Sequence, residues 1–140
     1  MSQAETLRQR LKSCPRGHAG WRDFEDFDNS TNWGKLREEF SAKIIVCEFK
    51  NYDTEIGQEE AAQTGSYLHD HIGKLGFMIC SKLPDRGAHE KRNIIYTQEK
   101  KVILFITVDH LLEMIAYREL EEDPSNVIID LIDSFRMQYQ

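Results

Sequence analysis

The chain is poor in several things, and each shortage excludes a class. It has three cysteines, Cys14, Cys47 and Cys80, an odd number with no CxxC spacing. A disulfide framework and a thiolate zinc site are therefore not expected, and the thiols read as free, with Cys47 and Cys80 buried in apolar runs. No apolar run approaches the roughly 20 residues that cross a bilayer, and the first residues lack a signal-peptide pattern. The expectation is a cytoplasmic protein without a membrane association. Positive charge is also short: the net charge is −6 over 140 residues. Binding of nucleic acid by bulk electrostatics is disfavoured, although a local site is not.

What remains is the composition of one globular domain, 40% hydrophobic and 30% charged, long enough to close one core. No repeat or linker divides it, so residues 1–140 read as a single domain. Charge is uneven along it. Residues 1–22 carry a net +4 and residues 109–140 a net −6, which allows a basic patch on an acidic body.

Apolar periodicity predicts a short helix over Ala4–Lys12, with Leu7 and Leu11 one turn apart, and a strand over Trp21–Phe27. A turn follows at Asp28–Asn32, then a helical turn or two over Trp33–Ser41. Three apolar, β-branched strands are expected at Lys43–Lys50, Gly76–Ser81 and Val102–Val108. Helices are expected at Glu59–His69, Ala88–Gln98 and His110–Leu120. The acidic run Glu119–Asp123 reads as a helix start, and Pro124 as the first turn of a last helix carrying Val127, Ile128, Leu131, Ile132 and Phe135. Strands alternating with helices imply an α/β domain with a partly parallel sheet, made mixed if the N-terminal strand pairs antiparallel.

The chemistry concentrates at one strand end. By its period of two, Ile44, Val46, Glu48 and Lys50 share one face, and Ile45, Cys47 and Phe49 the other. A carboxylate and an ammonium on an otherwise apolar face are costly unless paired with each other or with a metal. Spacing alone leaves both readings open.

The run Glu48-Phe49-Lys50-Asn51-Tyr52 resembles the EFKNY motif of a bacterial restriction-endonuclease-like family within the PD-(D/E)XK nuclease superfamily. Arg22-Asp23, Asn29–Trp33, Gln58–Glu60, Tyr67-Leu68 and Leu104–Thr107 occur in the same order, so the resemblance spans most of residues 21–107. It implies a three-layer α/β/α fold with a mixed central sheet and a Mg²⁺-dependent endonuclease, with Mn²⁺ as a possible substitute. The substrate it implies is DNA, in a defence or restriction role. Asp23, Glu48 and the Phe49 carbonyl would be metal ligands, and Lys50 would orient or help deprotonate the attacking water. Gln63 would join the catalytic set, and Asn51 and Tyr67 would contact substrate. Arg22 stands where the family has proline, and Glu25, Asp26 and Asp28 compete with Asp23 for the first acidic position. The segment before Asp23 is shorter than in relatives, which leaves room for a second reading: a non-catalytic domain that binds nucleic acid or protein. Partners implied are DNA and either a second copy or a separate recognition protein, because 140 residues leave little room for sequence readout.

Among other candidates, His69 and His71 read as favourable charge at a helix C-terminus. His18, His89 and His110 read as isolated. Arg86, Lys91 and Arg92 read as a solvated helix face before a phosphate contact.

Overall fold

The computed structural model describes residues 30–50 and 55–138 in full and residues 18–23 by their backbone. The predicted helix over Ala4–Lys12, Asp26, Asp28 and Asn51 lie outside the described residues. A four-stranded sheet forms the centre, in the order β1 (His18–Asp23), β2 (Ile44–Lys50), β3 (Leu75–Cys80) and β4 (Val102–Thr107). β1 runs antiparallel to β2, and β2, β3 and β4 are parallel. The domain is α/β.

Five helices are described: α1 (Asn32–Glu39), α2 (Gln58–Tyr67), α3 (Arg86–Glu99), α4 (Val108–Glu119) and α5 (Asn126–Met137). Crossovers between parallel strands are almost always right-handed, so β2-α2-β3 and β3-α3-β4, stepping the same way across the sheet, put both helices on one face. The packing follows that rule. Val46, Met78, Ile103 and Phe105 point toward Ala61 of α2 and Ala88 and Ile95 of α3. Their strand neighbours Ile45, Phe77, Leu104 and Ile106 point the other way, onto Leu36 of α1 and Ile128, Ile132 and Phe135 of α5. Two apolar layers result, one on each face of the sheet. Each fully buried Leu or Ile contributes about 1.5–3 kcal/mol.

Local chemistry sets the helix ends. α3 begins two residues before its expected start because the Asp85 carboxylate accepts from the Ala88 N–H at 2.9 Å. It ends at Lys100 in a left-handed conformation, φ 58°. The acidic run does not start a helix. It closes α4, with Glu121 left-handed at φ 58°. Pro124 lies outside α5, in a turn where Asp123 Oδ1 accepts from both the backbone N–H and the hydroxyl of Ser125. Asn32 at the start of α1 donates to Ser125 and Asn126, each at 2.9 Å, fastening α1 to the start of α5. Gly73 is required by its position: its φ is +130°, and a Cβ there would lie 2.5 Å from Ala42 Cα.

Candidate active site around Glu48 and Lys50

Strand β2 is flanked on both sides, and its carboxyl end carries the charged pair. Glu48 lies beside Met78 of β3 and Lys50 beside Cys80. Both charged side chains point into the layer beneath α2, the face that Val46 lines nearer the strand's start. They are shut off from solvent, each side chain 0% exposed, with Lys50 Nζ 2.8 Å from Glu48 Oε1. Among the described residues Glu48 Oε1 is held by the Lys50 ion pair and Oε2 has no donor.

Gln63 of α2 completes the contact, its side-chain oxygen accepting from Lys50 Nζ at 3.0 Å. Gln63 is exposed while Lys50 is buried. The ammonium is therefore one side chain away from solvent. Thr64, the next residue, is fully buried and its Oγ1 has no hydrogen-bond partner among the described residues. Tyr67, one turn beyond Gln63, is half-buried against the core under α2 and α3.

A buried carboxylate with unsatisfied lone pairs is expensive, and one close cation compensates only part of its desolvation. Lys50 also acts on the neighbouring thiol. Burial pushes Cys80 up to about 12, and the Lys50 charge pulls slightly the other way. Cys47, across the sheet, is raised to about 11 by burial. Both are free thiols that stay protonated at neutral pH, which removes them as nucleophiles.

The first acidic position is the part of the site that the register bears on. Ala19 is the residue opposite Glu48, and Asp23 is opposite Ile44. Asp23 is thus offset from Glu48 by four positions, about 13 Å along the strand. Its side chain lies outside the described residues. Among the described residues, no three His, Cys, Asp or Glu side chains converge as a metal site would require. Phe49 sits within the ladder, between His18 of β1 and Ile79 of β3. A cation would need the second lone pair of its carbonyl.

Three basic or imidazole residues read differently in three dimensions than along the chain. Arg92 is not on a solvated face. It is 9% exposed, with its guanidinium 4.5 Å from the Phe105 ring centroid and 4.7 Å from that of Phe135. His89 is not isolated: its ring meets Phe105 edge-on at 5.1 Å, and burial and the Arg92 charge hold its pKa below the usual histidine value. His110 Nδ1 accepts from the Thr107 N–H at 3.0 Å and so caps α4. His69 and His71 lie in the turn after α2, which ends at Tyr67.

Sequence reasoning passed over a cavity of about 150 Å³ at the carboxyl ends of β3 and β4, lined by Cys80, Ser81, Lys82, Leu83, Thr107, Val108 and Asp109. The one signal available was position: in open α/β sheets, ligands gather beyond the carboxyl ends of parallel strands. None of the described helices is long and apolar enough to cross a membrane. Comparison with protein-family models, curated proteins and solved structures finds no match.

Proposed function

We propose that the chain is a metal-dependent endonuclease of the restriction-endonuclease-like fold, hydrolysing phosphodiester bonds of DNA. The observation that carries this reading is the buried Glu48 carboxylate, with an oxygen that no donor satisfies among the described residues, beside the buried Lys50 ammonium that the exposed Gln63 contacts. An ordinary structural ion pair would bury its oxygens with donors around them.

A hard cation suits this donor set, because Mg²⁺ takes carboxylate and carbonyl oxygens and keeps several waters. Glu48 Oε2 and the Phe49 carbonyl would hold it, and the further acid would have to lie nearer Glu48 than Asp23, which the register sets about 13 Å along the strand. When bound, such an ion acidifies water and draws charge from a phosphate. Lys50 puts fixed positive charge beside the reacting phosphate, where negative charge grows in the transition state. Gln63 restrains the ammonium through its oxygen. Its amide N–H groups stay available to a phosphate oxygen, so Gln63 joins positioning to substrate contact. Asn51 and Tyr67 remain substrate contacts by resemblance alone, and a second copy or a recognition protein would supply sequence readout.

The register favours a second reading to the extent that it separates Asp23 from Glu48. If no acid approaches Glu48, the pair is structural and the domain is a binding module. Incubation with linear, nicked and single-stranded DNA, in Mg²⁺, Mn²⁺ or chelator, decides between them. The enzyme cleaves with either metal, and chelator stops it. Wild type that binds DNA without cutting it under any of these conditions is the module.

A further inference from the structure

We infer that the cavity beyond β3 and β4 is a DNA subsite that holds the nucleotide next to the scissile phosphate, with Lys82 on its phosphate and Leu83 against its sugar and base. The inference rests on the nuclease reading and adds the substrate's path to it.

The cavity is coupled to the charged pair by the backbone. Ser81 donates to the Lys50 carbonyl twice, from its N–H at 3.2 Å and from its hydroxyl at 3.4 Å. The cavity wall is therefore fixed relative to Lys50. Cys80, another wall residue, is the register neighbour of Lys50. The wall residue Cys80 and the Lys50 backbone are thus one strand spacing apart, about 5 Å, within the reach of an adjoining nucleotide.

Size selects the ligand. A cavity of about 150 Å³ is below the roughly 300 Å³ of sites that enclose a whole small molecule. It suits one piece of a longer chain that is held elsewhere as well. The lining matches such a piece. Lys82 is exposed and makes no ion pair among the described residues. Leu83 is 66% exposed on the cavity wall, so it offers a sugar or base an apolar contact. Asp109, also in the lining, repels a phosphate and so favours its approach at Lys82. Neither Lys82 nor Leu83 belongs to the Glu48–Lys50 constellation, so both act on binding alone.

Fluorescence anisotropy of a labelled single-stranded oligonucleotide, with Ca²⁺ replacing Mg²⁺ to prevent cleavage, tests this across a salt series. One lost phosphate contact lowers the slope of log K against log salt by about 0.7 on single strands. Lys82→Gln should show that drop, while Lys35→Gln, an exposed lysine on α1 across the sheet, should keep the wild-type slope. Leu83→Ser should weaken binding at every salt concentration without changing the slope. In Mg²⁺, Lys82→Gln should raise KM and leave kcat unchanged. Equal slopes for the two lysine variants, with wild type binding and cleaving normally, overturn the subsite and leave the nuclease standing. Wild type that neither binds nor cleaves overturns both.

Discussion

Lys50 and Glu48 are two residues apart on one strand, 2.8 Å apart in space and both sealed from water, yet the exposed Gln63 reaches in to accept from the ammonium. Removing that contact should be visible in both stability and rate. Gln63→Ala leaves a buried donor short of one acceptor, which costs about 1 kcal/mol where water can enter. Its melting temperature should fall by a few degrees while the cleavage rate falls far more. A matched small loss in both would make Gln63 a structural prop.

Arg92 should matter for folding and not for cleavage. Its guanidinium lies over Phe105 of β4 and Phe135 of α5, so it joins the two helical layers around the sheet edge. Cation–π contacts of this desolvated kind are worth about 2 kcal/mol or more. Arg92→Ala should lower unfolding free energy in urea by on the order of 2–3 kcal/mol, given the lost stem packing as well. Specific activity of the folded fraction should stay at the wild-type level. Undiminished stability would mean that the rings carry the contact without the charge.

That residue also shows where the sequence stops being informative. The run Ile44–Phe49 announces a strand through β-branched residues alone, and its alternation puts Glu48 and Lys50 on one face, where they are found. Gln63 is reachable too, since the resemblance puts it in one catalytic set with Lys50, which it contacts. Arg92 is not. Its partners are 13 and 43 residues away, on different elements, and nothing nearby in the chain distinguishes it from Arg86, which is exposed. The position of Asp23 was equally hidden, because a strand's register is set by pairing and not by its own residues. The sequence starts the last helix at Pro124, two residues before Asn126, because it does not say that Asp123 holds the turn before α5.

The buried thiols make stability fall in alkali. Cys80 titrates near 12 in the fold against 9.0 in the open chain, and Cys47 near 11. Between about 9 and the folded values the unfolded chain has lost a proton that the native state keeps. The unfolded state binds fewer protons there, so stability declines as pH rises through that window and is unaffected below it. Cys80→Ala should flatten part of the decline in urea titrations at pH 8, 9 and 10. Native protein should also react slowly with a thiol reagent at pH 7. Rapid labelling of Cys47 and Cys80 under native conditions would show that the layers open readily.

Calcium separates a metal site from a structural ion pair without any substrate. It takes oxygen ligands, so it should bind the folded protein at Glu48 and not the unfolded chain. Stabilisation by a ligand is RT ln(1 + [L]/Kd), about 2.7 kcal/mol at a hundredfold excess. For a domain of this size that raises the melting temperature by on the order of 5–10 °C. Two variants should then move in opposite directions. Glu48→Gln removes the ligand charge and strands a buried ammonium, so it should lose about 3–5 kcal/mol without metal and gain nothing from calcium. Lys50→Met strands the carboxylate instead and should also be destabilised without metal. Calcium can replace the missing cation, however, so its shift should exceed that of wild type while cleavage in Mg²⁺ is lost. Melting curves of the three proteins, with and without millimolar calcium, give the answer. Equal shifts in wild type and Glu48→Gln would mean that no cation sits at Glu48, and the pair would then be a structural ion pair with no catalytic duty.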